Sequence, residues 1–282
     1  MEITTKIQKK NANAKINIYL QVLNKRLDNF HNINSLFYPI PLCDEIIISE
    51  NNELKLECDT NLNINNNENI VFKAALKIQE FAIKHKKIKI TPKIELKKRI
   101  PVGAGLGGGS SDAATTLLAL NQFYNLNISI NTLHKIAISL GSDVPFFLYN
   151  STSIISGRGE LITPIKFNIN KYLLLIFPNI YINTHQAYKL LDRNINYSFS
   201  LFEPNLNNNI NNILLNDFEE PIFSMYPELF EIKTKLMKIS NNKALMSGSG
   251  SSIFAFFDNE KELYEAKKEF NNKNYFIFSC KL

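Results

Sequence analysis

The sequence predicts an α+β protein of two domains, one over residues 1–160 and one over 161–282. Three observations carry that expectation. Strand-like alternation and helix-like stripes interleave along the whole chain. At 282 residues, 45% hydrophobic and 21% charged, the chain has apolar material for one large core or two moderate ones. A glycine-dense turn at 103–109 sits between an apolar strand and a strongly patterned helix, where a flexible linker has no place.

The elements follow in order. Residues 15–23, KINIYLQVL, alternate strictly: Ile16, Ile18, Leu20 and Val22 face one way, Lys15, Asn17, Tyr19 and Gln21 the other. Residues 45–49 and 53–58 read as further strands. Ile70, Val71, Ala74, Ala75, Ile78, Phe81 and Ala82 form a helical stripe over 68–84. A strand at 88–99 leads into the glycine turn, and helices follow at about 111–124 and 131–140, the second closed by Gly141. Ser156-Gly157-Arg158-Gly159 reads as a turn between two strands. After the strand 172–177, Thr184 is placed to cap a helix at 185–191. Pro227 suits the first turn of a helix reaching about 239. The tail reads as strand 244–246, strand 252–257, helix 259–270 and strand 275–280. The Asn-rich segment 205–212 reads as a surface loop, and enrichment in Asn, Lys and Ile throughout is consistent with a coding bias. No internal repeat is found.

Composition narrows the function. The longest compact apolar run, Tyr172 to Phe177, is far too short to span a bilayer. Lys6, Lys9 and Lys10 are followed by no apolar segment, so neither a secretory signal nor a membrane partner is expected. Cys43, Cys58 and Cys280 lie far apart without a CxxC pair, which argues against a zinc site and a disulfide framework and for a cytoplasmic setting. The sequons at Asn127, Asn150 and Asn196 then carry no meaning. A net charge of +6 and a pI near 9.0 suit small polyanionic ligands. RNA is the other polyanion to weigh. The densest basic stretch, Lys84 to Arg99, alternates Lys and Glu with Ile and Leu, as a half-buried strand with a wet face does, so no nucleic-acid partner is expected.

The strongest chemical signal is Pro101-Val-Gly-Ala-Gly-Leu-Gly-Gly-Gly-Ser-Ser-Asp-Ala-Ala114. Glycines at 103, 105, 107, 108 and 109 strip Cβ atoms from a short turn, so that backbone N–H groups can close on an anion. The helix that follows offers its N-terminal N–H groups and macrodipole to a phosphate. The turn is not a Walker A motif, because no Gly-Lys-Ser/Thr follows, and its match to GxGxxG is weak evidence alone.

The full string closely resembles the central phosphate-binding motif of the GHMP kinases. Three further segments resemble that family in the same order: Ala14-Lys15-Ile16-Asn17, Leu140-Gly141-Ser142-Asp143-Val144-Pro145-Phe146-Phe147, and Met246-Ser247-Gly248-Ser249-Gly250. Asp28-Asn29-Phe30-His31 with Leu36-Phe37, and Asn183-Thr184 through Tyr188 to Asp192, resemble the branch of the family that acts on a cytidine diphosphate substrate. Asn29 stands where that branch has glycine and Phe30 where it has tyrosine. Ser251-Ser252 follow the last glycine where proline or glycine is common.

The resemblance implies a fold, an activity and a site. The first domain should resemble the second domain of a small-subunit ribosomal protein, and the second should be ferredoxin-like. ATP, accompanied by Mg2+, should phosphorylate the 2-hydroxyl of a diphosphocytidyl-methylerythritol in isoprenoid precursor synthesis. Asp143 is the implied general base, with Lys15 between it and the acceptor oxygen. The implied nucleotide site is Pro101, Val102, Gly103, Ala104, Gly105, Leu106, Gly107, Gly108, Gly109, Ser110 and Ser111, with Asn69 and Lys98 near the adenosine. Phe30 and Tyr188 should sandwich the cytosine, with His31 reading its edge and Thr184 bonding nearby; Asn17, Gly248 and Ser249 complete the substrate site. Ser111 and Asp112 lie where a metal could approach, without a ligand being assigned. A monomer or weak homodimer is expected. The rivals are a sister kinase acting on mevalonate or homoserine and a non-catalytic RNA-binding module.

Overall fold

In the computed structural model the described residues are 6–59, 68–191, 210–271 and 273–282. Asp192, the sequon at Asn196 and residues 205–209 of the Asn-rich segment lie outside them. The chain forms two compact units. One holds Met1–Ala14, Leu42–Ile100 and Gly107–Asn150; the other holds Lys15–Pro41, Pro101–Leu106 and Ser151–Leu282.

The first unit begins with the leading part of β1 (Ile7–Lys25) and the trailing part of β2 (His31–Glu50), followed by β3 (Lys55–Cys58), α1 (Ile70–Phe81), β4 (Pro92–Lys97), α2 (Gly108–Phe123), α3 (Ile130–Leu140) and α4 (Val144–Tyr149). β4 pairs antiparallel with β2, setting Ile94 opposite Ile48 and Leu96 opposite Ile46, and parallel with β3. Its inward residues Ile94 and Leu96 are buried. Its outward Lys93 meets Glu57 and Glu95, and Lys97 meets Glu45. The basic stretch is thus a wet strand face of exposed ion pairs, each contributing little to stability. The ladder is shorter than its alternation predicts. Residues 88–91 fall outside it, and the chain arrives there from Lys87 in a left-handed conformation, φ 58°.

The α1 stripe is as its spacing predicts: Val71, Ala74, Ala75 and Ile78 are buried, and α1 packs on α2. α2 starts at Gly108, earlier than the expected 111. Two glycines in its first turn hide that start, because glycine is a poor helix former. α4 escaped the sequence reading altogether; at six residues it is too short to show a period.

The second unit continues with β5 (Ser153–Ser156), β6 (Leu161–Pro164), β7 (Tyr172–Phe177), α5 (Thr184–Leu190), β8 (Leu215–Asn216), α6 (Glu219–Met225), α7 (Pro227–Ile239), β9 (Ala244–Met246), β10 (Ile253–Phe257), α8 (Glu260–Lys268) and β11 (Phe276–Lys281). β5 and β6 are antiparallel across the turn at 157–160. β7, β10, β9 and β11 form an antiparallel sheet ordered β11-β7-β10-β9, with α7 and α8 packed on it. In chain order that is βαββαβ with the sheet order 4-1-3-2, the expected ferredoxin-like arrangement. Thr184 does not cap α5. Asn183 does, its Oδ1 accepting the Gln186 N–H at 3.1 Å, because an Asn side chain reaches that group from the N-cap position.

Left-handed turns have an unusual composition. Among the described residues eight non-glycine positions have positive φ, and seven are asparagine: 29, 125, 127, 150, 179, 241 and 242. Asn and Asp adopt this conformation at lower cost than other non-glycine residues.

Ile78 is fully buried where α1 meets α2. Ile78→Ala is expected to lower stability by about 2–5 kcal/mol, the range for a cavity of that size. A urea midpoint shift with an unchanged slope checks it.

Candidate functional site

The expected site residues fall into groups that the structure builds separately. In the second unit, Lys15 and Asn17 project from the polar face of β1, yet they are only 3% and 1% exposed. Strand alternation predicted a wet face here. The turns at Gly105 and Gly248 cover it. Lys15 Nζ donates to Asn17 Oδ1 at 2.5 Å and to the Gly105 carbonyl at 3.0 Å, and lies 4.7 Å from the Phe37 ring centroid. Asn17 Nδ2 donates to Ser35 Oγ at 3.0 Å. The Ser247 hydroxyl donates to the same Gly105 carbonyl at 3.0 Å. Gly105 has φ 75°, and a Cβ there would lie 2.1 Å from the Ser247 carbonyl oxygen. Its missing side chain therefore serves packing against residue 247.

The expected cytosine pocket is arranged differently from its sequence reading. Tyr188 stacks on His31, with centroids 5.3 Å apart and planes 16° from parallel, and meets Phe218 edge-on. Phe30, 46% exposed, instead lies under the Arg158 guanidinium at 4.7 Å. The Arg158 contact was not foreseen; its only sequence mark was the Gly-Arg-Gly turn. Asn29 has φ 66°, so the residue in the glycine's place keeps the left-handed bend. Thr184 Oγ1 and Ser249 Oγ lie 3.0 Å apart, which brings two of the expected substrate residues together.

In the first unit, α2 receives the glycine turn. Gly107 is left-handed at φ 70° and makes no side-chain cap. Ser111 N–H bonds the Gly107 carbonyl at 2.9 Å, so the N–H groups ahead of it in the first turn have no intrahelical acceptor. A Cβ on Gly109 would touch only Ile70 Cγ2, at 3.6 Å. This end of α2 combines N–H groups that have no intrahelical acceptor with the helix macrodipole, the features that favour an anion.

Lys98 does not extend into solvent. Its ammonium lies between the buried carboxylates of Asp44 and Asp112, 2.7 Å from Asp112 Oδ2. Burial opposes the charge on Lys98, but Asp112 and Asp44 raise its pKa above the ordinary lysine value. Burial pushes the Asp112 carboxyl up to about 7, with Lys98 pulling it down and Asp44 adding to the rise. Asn69 is the N-cap of α1, its Oδ1 accepting the Val71 N–H at 2.9 Å. Asp143 precedes α4 in a turn closed by Val144 N–H to the Gly141 carbonyl. Among the described residues its half-buried carboxylate accepts no hydrogen bond, which leaves it open to a proton donor.

The residues present do not form a protein cage for magnesium. Among the described residues no three acidic, His or Cys side chains converge, and the Lys98 ammonium occupies the space between Asp44 and Asp112 that a dication would need. Among the described residues no helix is long and apolar enough to cross a membrane.

Comparison with known proteins places these features. The family model for the GHMP kinases N terminal domain matches residues 69–151, and that for the GHMP kinases C terminal domain matches residues 194–275. A 4-diphosphocytidyl-2-C-methyl-D-erythritol kinase of Thermodesulfovibrio yellowstonii is 42% identical over 272 residues, covering 92% of this chain and 93% of the relative. One from Bacteroides thetaiotaomicron is 36% identical over 261 residues, covering 90% and 93%. A crystal structure of 4-(cytidine 5'-diphospho)-2C-methyl-D-erythritol kinase superposes with a TM-score of 0.80 at 28% identity, covering 98% of this chain and 100% of the other. Homoserine kinase from Cytophaga hutchinsonii superposes at 0.71 with 18% identity, covering 99% and 95%, a likeness of fold alone.

The Asp112 carboxyl, raised well above its ordinary 3.8, gives a sign-definite test. Between about pH 4 and pH 7 the folded state holds a proton that the unfolded state releases. Stability from this group therefore falls as pH rises through that window. Asp112→Asn is expected to flatten the fall, seen as a smaller loss of urea midpoint between pH 5 and pH 7.5 than in the wild type.

Proposed function

We propose that this chain, which belongs to the GHMP kinase family, transfers the γ-phosphoryl group of ATP to the 2-hydroxyl of 4-diphosphocytidyl-2-C-methyl-D-erythritol, in isoprenoid precursor synthesis. The observation that carries the kinase reading is the start of α2, where a left-handed glycine opens a helix whose first N–H groups have no internal acceptor. The substrate reading rests on the relatives of that name, 34–42% identical over about nine-tenths of the chain. The sister kinases share the fold at 12–19% identity. The RNA-binding rival is weakened by the exposed face of β4, whose lysines are paired with glutamates.

Phosphoryl transfer to an alcohol needs positioning and charge neutralisation more than covalent help. The phosphates rest on the glycine turn, Pro101 to Ser111, with Asn69 and Lys98 bordering the nucleotide. Asp143 takes the proton of the acceptor hydroxyl; its carboxylate accepts no hydrogen bond among the described residues. Lys15 stabilises charge on the attacking oxygen, its ammonium held in one place by Asn17 and the Gly105 carbonyl. Bound together with ATP, Mg2+ would supply charge neutralisation on the phosphates beside Ser111 at the start of α2.

Cytosine binds among Phe30, His31 and Tyr188, with Thr184, Asn17, Gly248 and Ser249 lining the rest of the substrate. Binding requires the base to insert against Tyr188, so His31 gives up its stacked position and offers its ring nitrogen to the base edge. Residues 1–160 form the N-terminal kinase domain, with the nucleotide site and part of the substrate site, and 161–282 the C-terminal domain with the rest of the substrate site; the two family matches fall on either side of residue 160. The enzyme works in the cytoplasm as a monomer or weak homodimer, with small molecules and no nucleic acid as partners.

ADP release should be supported by the cytidine substrate and not by mevalonate or homoserine; the reverse preference would overturn the substrate assignment. Asp143→Asn should lower kcat by roughly 10²–10⁴-fold, the contribution of a general base, while leaving calorimetric affinity for an ATP analogue intact. Near wild-type kcat would remove Asp143 from the mechanism.

Tyr188→Ala should lose about 1–3 kcal/mol of base stacking, a roughly 5- to 150-fold fall in kcat/KM for the cytidine substrate. Affinity for the ATP analogue should hold. Full kcat/KM in a folded variant would mean the ring packs only on His31 and Phe218.

A further inference from the structure

Three consecutive N–H groups ahead of the glycine turn are held by carboxylates. The Lys98 N–H donates to Asp59 Oδ1 at 2.9 Å, and those of Arg99 and Ile100 donate to Asp44 Oδ1 at 2.5 and 2.8 Å. The strand ladder ends at Lys97, and among the described residues the hydrogen bonds that hold the chain here come from side chains. Asp44 is 0% exposed and belongs to none of the sequence motifs. Its second oxygen accepts the Lys98 ammonium, which also binds Asp112 in the second turn of α2.

The far side of the glycine turn is thereby tied to the near side. Gly108, the first residue of α2, lies directly on this segment: a Cβ there would stand 2.9 Å from Ile100 Cγ2 and 3.4 Å from Lys98 Nζ. A buried lysine between two carboxylates is a poor source of stability, since desolvation of three charges offsets most of their attraction. What it does supply is fixed geometry. The groups it fixes are residues 98–100 and the opening of α2, the two ends of the turn that receives phosphate.

We propose that Asp44, Lys98 and Asp112 form a buried clasp that sets the spacing of the two ends of the glycine turn, making Asp44 a positioning residue for ATP. This rests on the reading of that turn as the phosphate site. Lys98 then serves the nucleotide through the backbone it orders, with its ammonium committed to the carboxylates. Asp44 touches neither substrate. Its effect belongs to ATP affinity and not to the chemical step.

The test is calorimetry with a non-hydrolysable ATP analogue, and with cytidine diphosphate in parallel as a probe of the folded second site. Asp44→Asn is expected to raise the dissociation constant for the analogue about 10-fold, the size of one hydrogen bond to a charged group, with cytidine diphosphate affinity unchanged. In steady state KM for ATP should rise alike while kcat at saturating ATP stays within about twofold of wild type. Because Asp44→Asn could unfold the chain, a second variant removes every charge of the clasp together: Asp44→Asn, Lys98→Met and Asp112→Asn. It leaves no buried ion unpaired and is expected to fold, with the same selective loss of ATP affinity. Hydrogen exchange of the wild type supplies the third reading: the Arg99 and Ile100 amides should exchange more slowly when the analogue binds. Wild-type ATP affinity in either folded variant, or exchange at 99–100 that ignores the analogue, overturns the clasp. If the wild type itself fails to bind the analogue while binding cytidine diphosphate, the phosphate-site reading fails first and the clasp falls with it.

Discussion

A lysine ammonium with 3% of its residue surface exposed must be met by oxygen wherever the backbone can provide it. Around Lys15 that requirement organises a large part of the second unit. The Gly105 carbonyl points at Nζ, Asn17 is drawn to the same atom, and Ser247 shares the carbonyl. The Asn17 amide reaches on to Ser35, whose hydroxyl donates to the Tyr19 carbonyl at 2.5 Å. Gly105 and Gly248 then have little freedom. A Cβ on the second would come 3.4 Å from the Lys15 ammonium and 3.1 Å from the Gly105 carbonyl oxygen. Three segments far apart in sequence are held in register by one positive charge.

That dependence explains why part of the site was legible beforehand and part was not. The α1 stripe, the βαββαβ tail and the glycine turn follow from local periodicity and from glycine spacing, which are properties of short segments. Burial of Lys15 and Asn17 depends on what covers a strand, and alternation within KINIYLQVL says only which residues share a face. The first half of β2 was missed because His31 to Ser35 mix polar and apolar residues without a clean period. Asp44 left no mark, since a single aspartate in a strand has no spacing to betray it. The Arg158 contact with Phe30 joins a β-turn to a loop more than a hundred residues away, and nothing local to either residue announces it.

The fold and the site carry different information. Homoserine and mevalonate kinases superpose on this chain with TM-scores near 0.7 at under 20% identity, so the fold is shared property. The residues proposed for the cytosine lie elsewhere: Phe30, His31 and Tyr188 sit on a loop, a strand end and a short helix, with Arg158 on a turn beside Phe30. These are connections and ends, which can change without disturbing the sheets.

The asparagines of the left-handed turns have a consequence for how this polypeptide tolerates drift. The chain contains 10 glycines in all, and they stand at 103–109, 141, 157, 159, 248 and 250. Elsewhere among the described residues the positive-φ work falls almost wholly to asparagine, which tolerates the bend and leaves the unfolded chain less freedom than glycine would. Asparagine therefore suffices at bends whose only requirement is to turn the chain. In the turns at 103–109 and 248–250, mostly another atom stands in the place of the missing Cβ: Tyr181 at Gly103, Ser247 at Gly105, Ile100 at Gly108, Met246 at Gly250. The glycines thus divide by the space beside them: the chain has room for a side chain at 109 and none at 103, 105, 108 or 250.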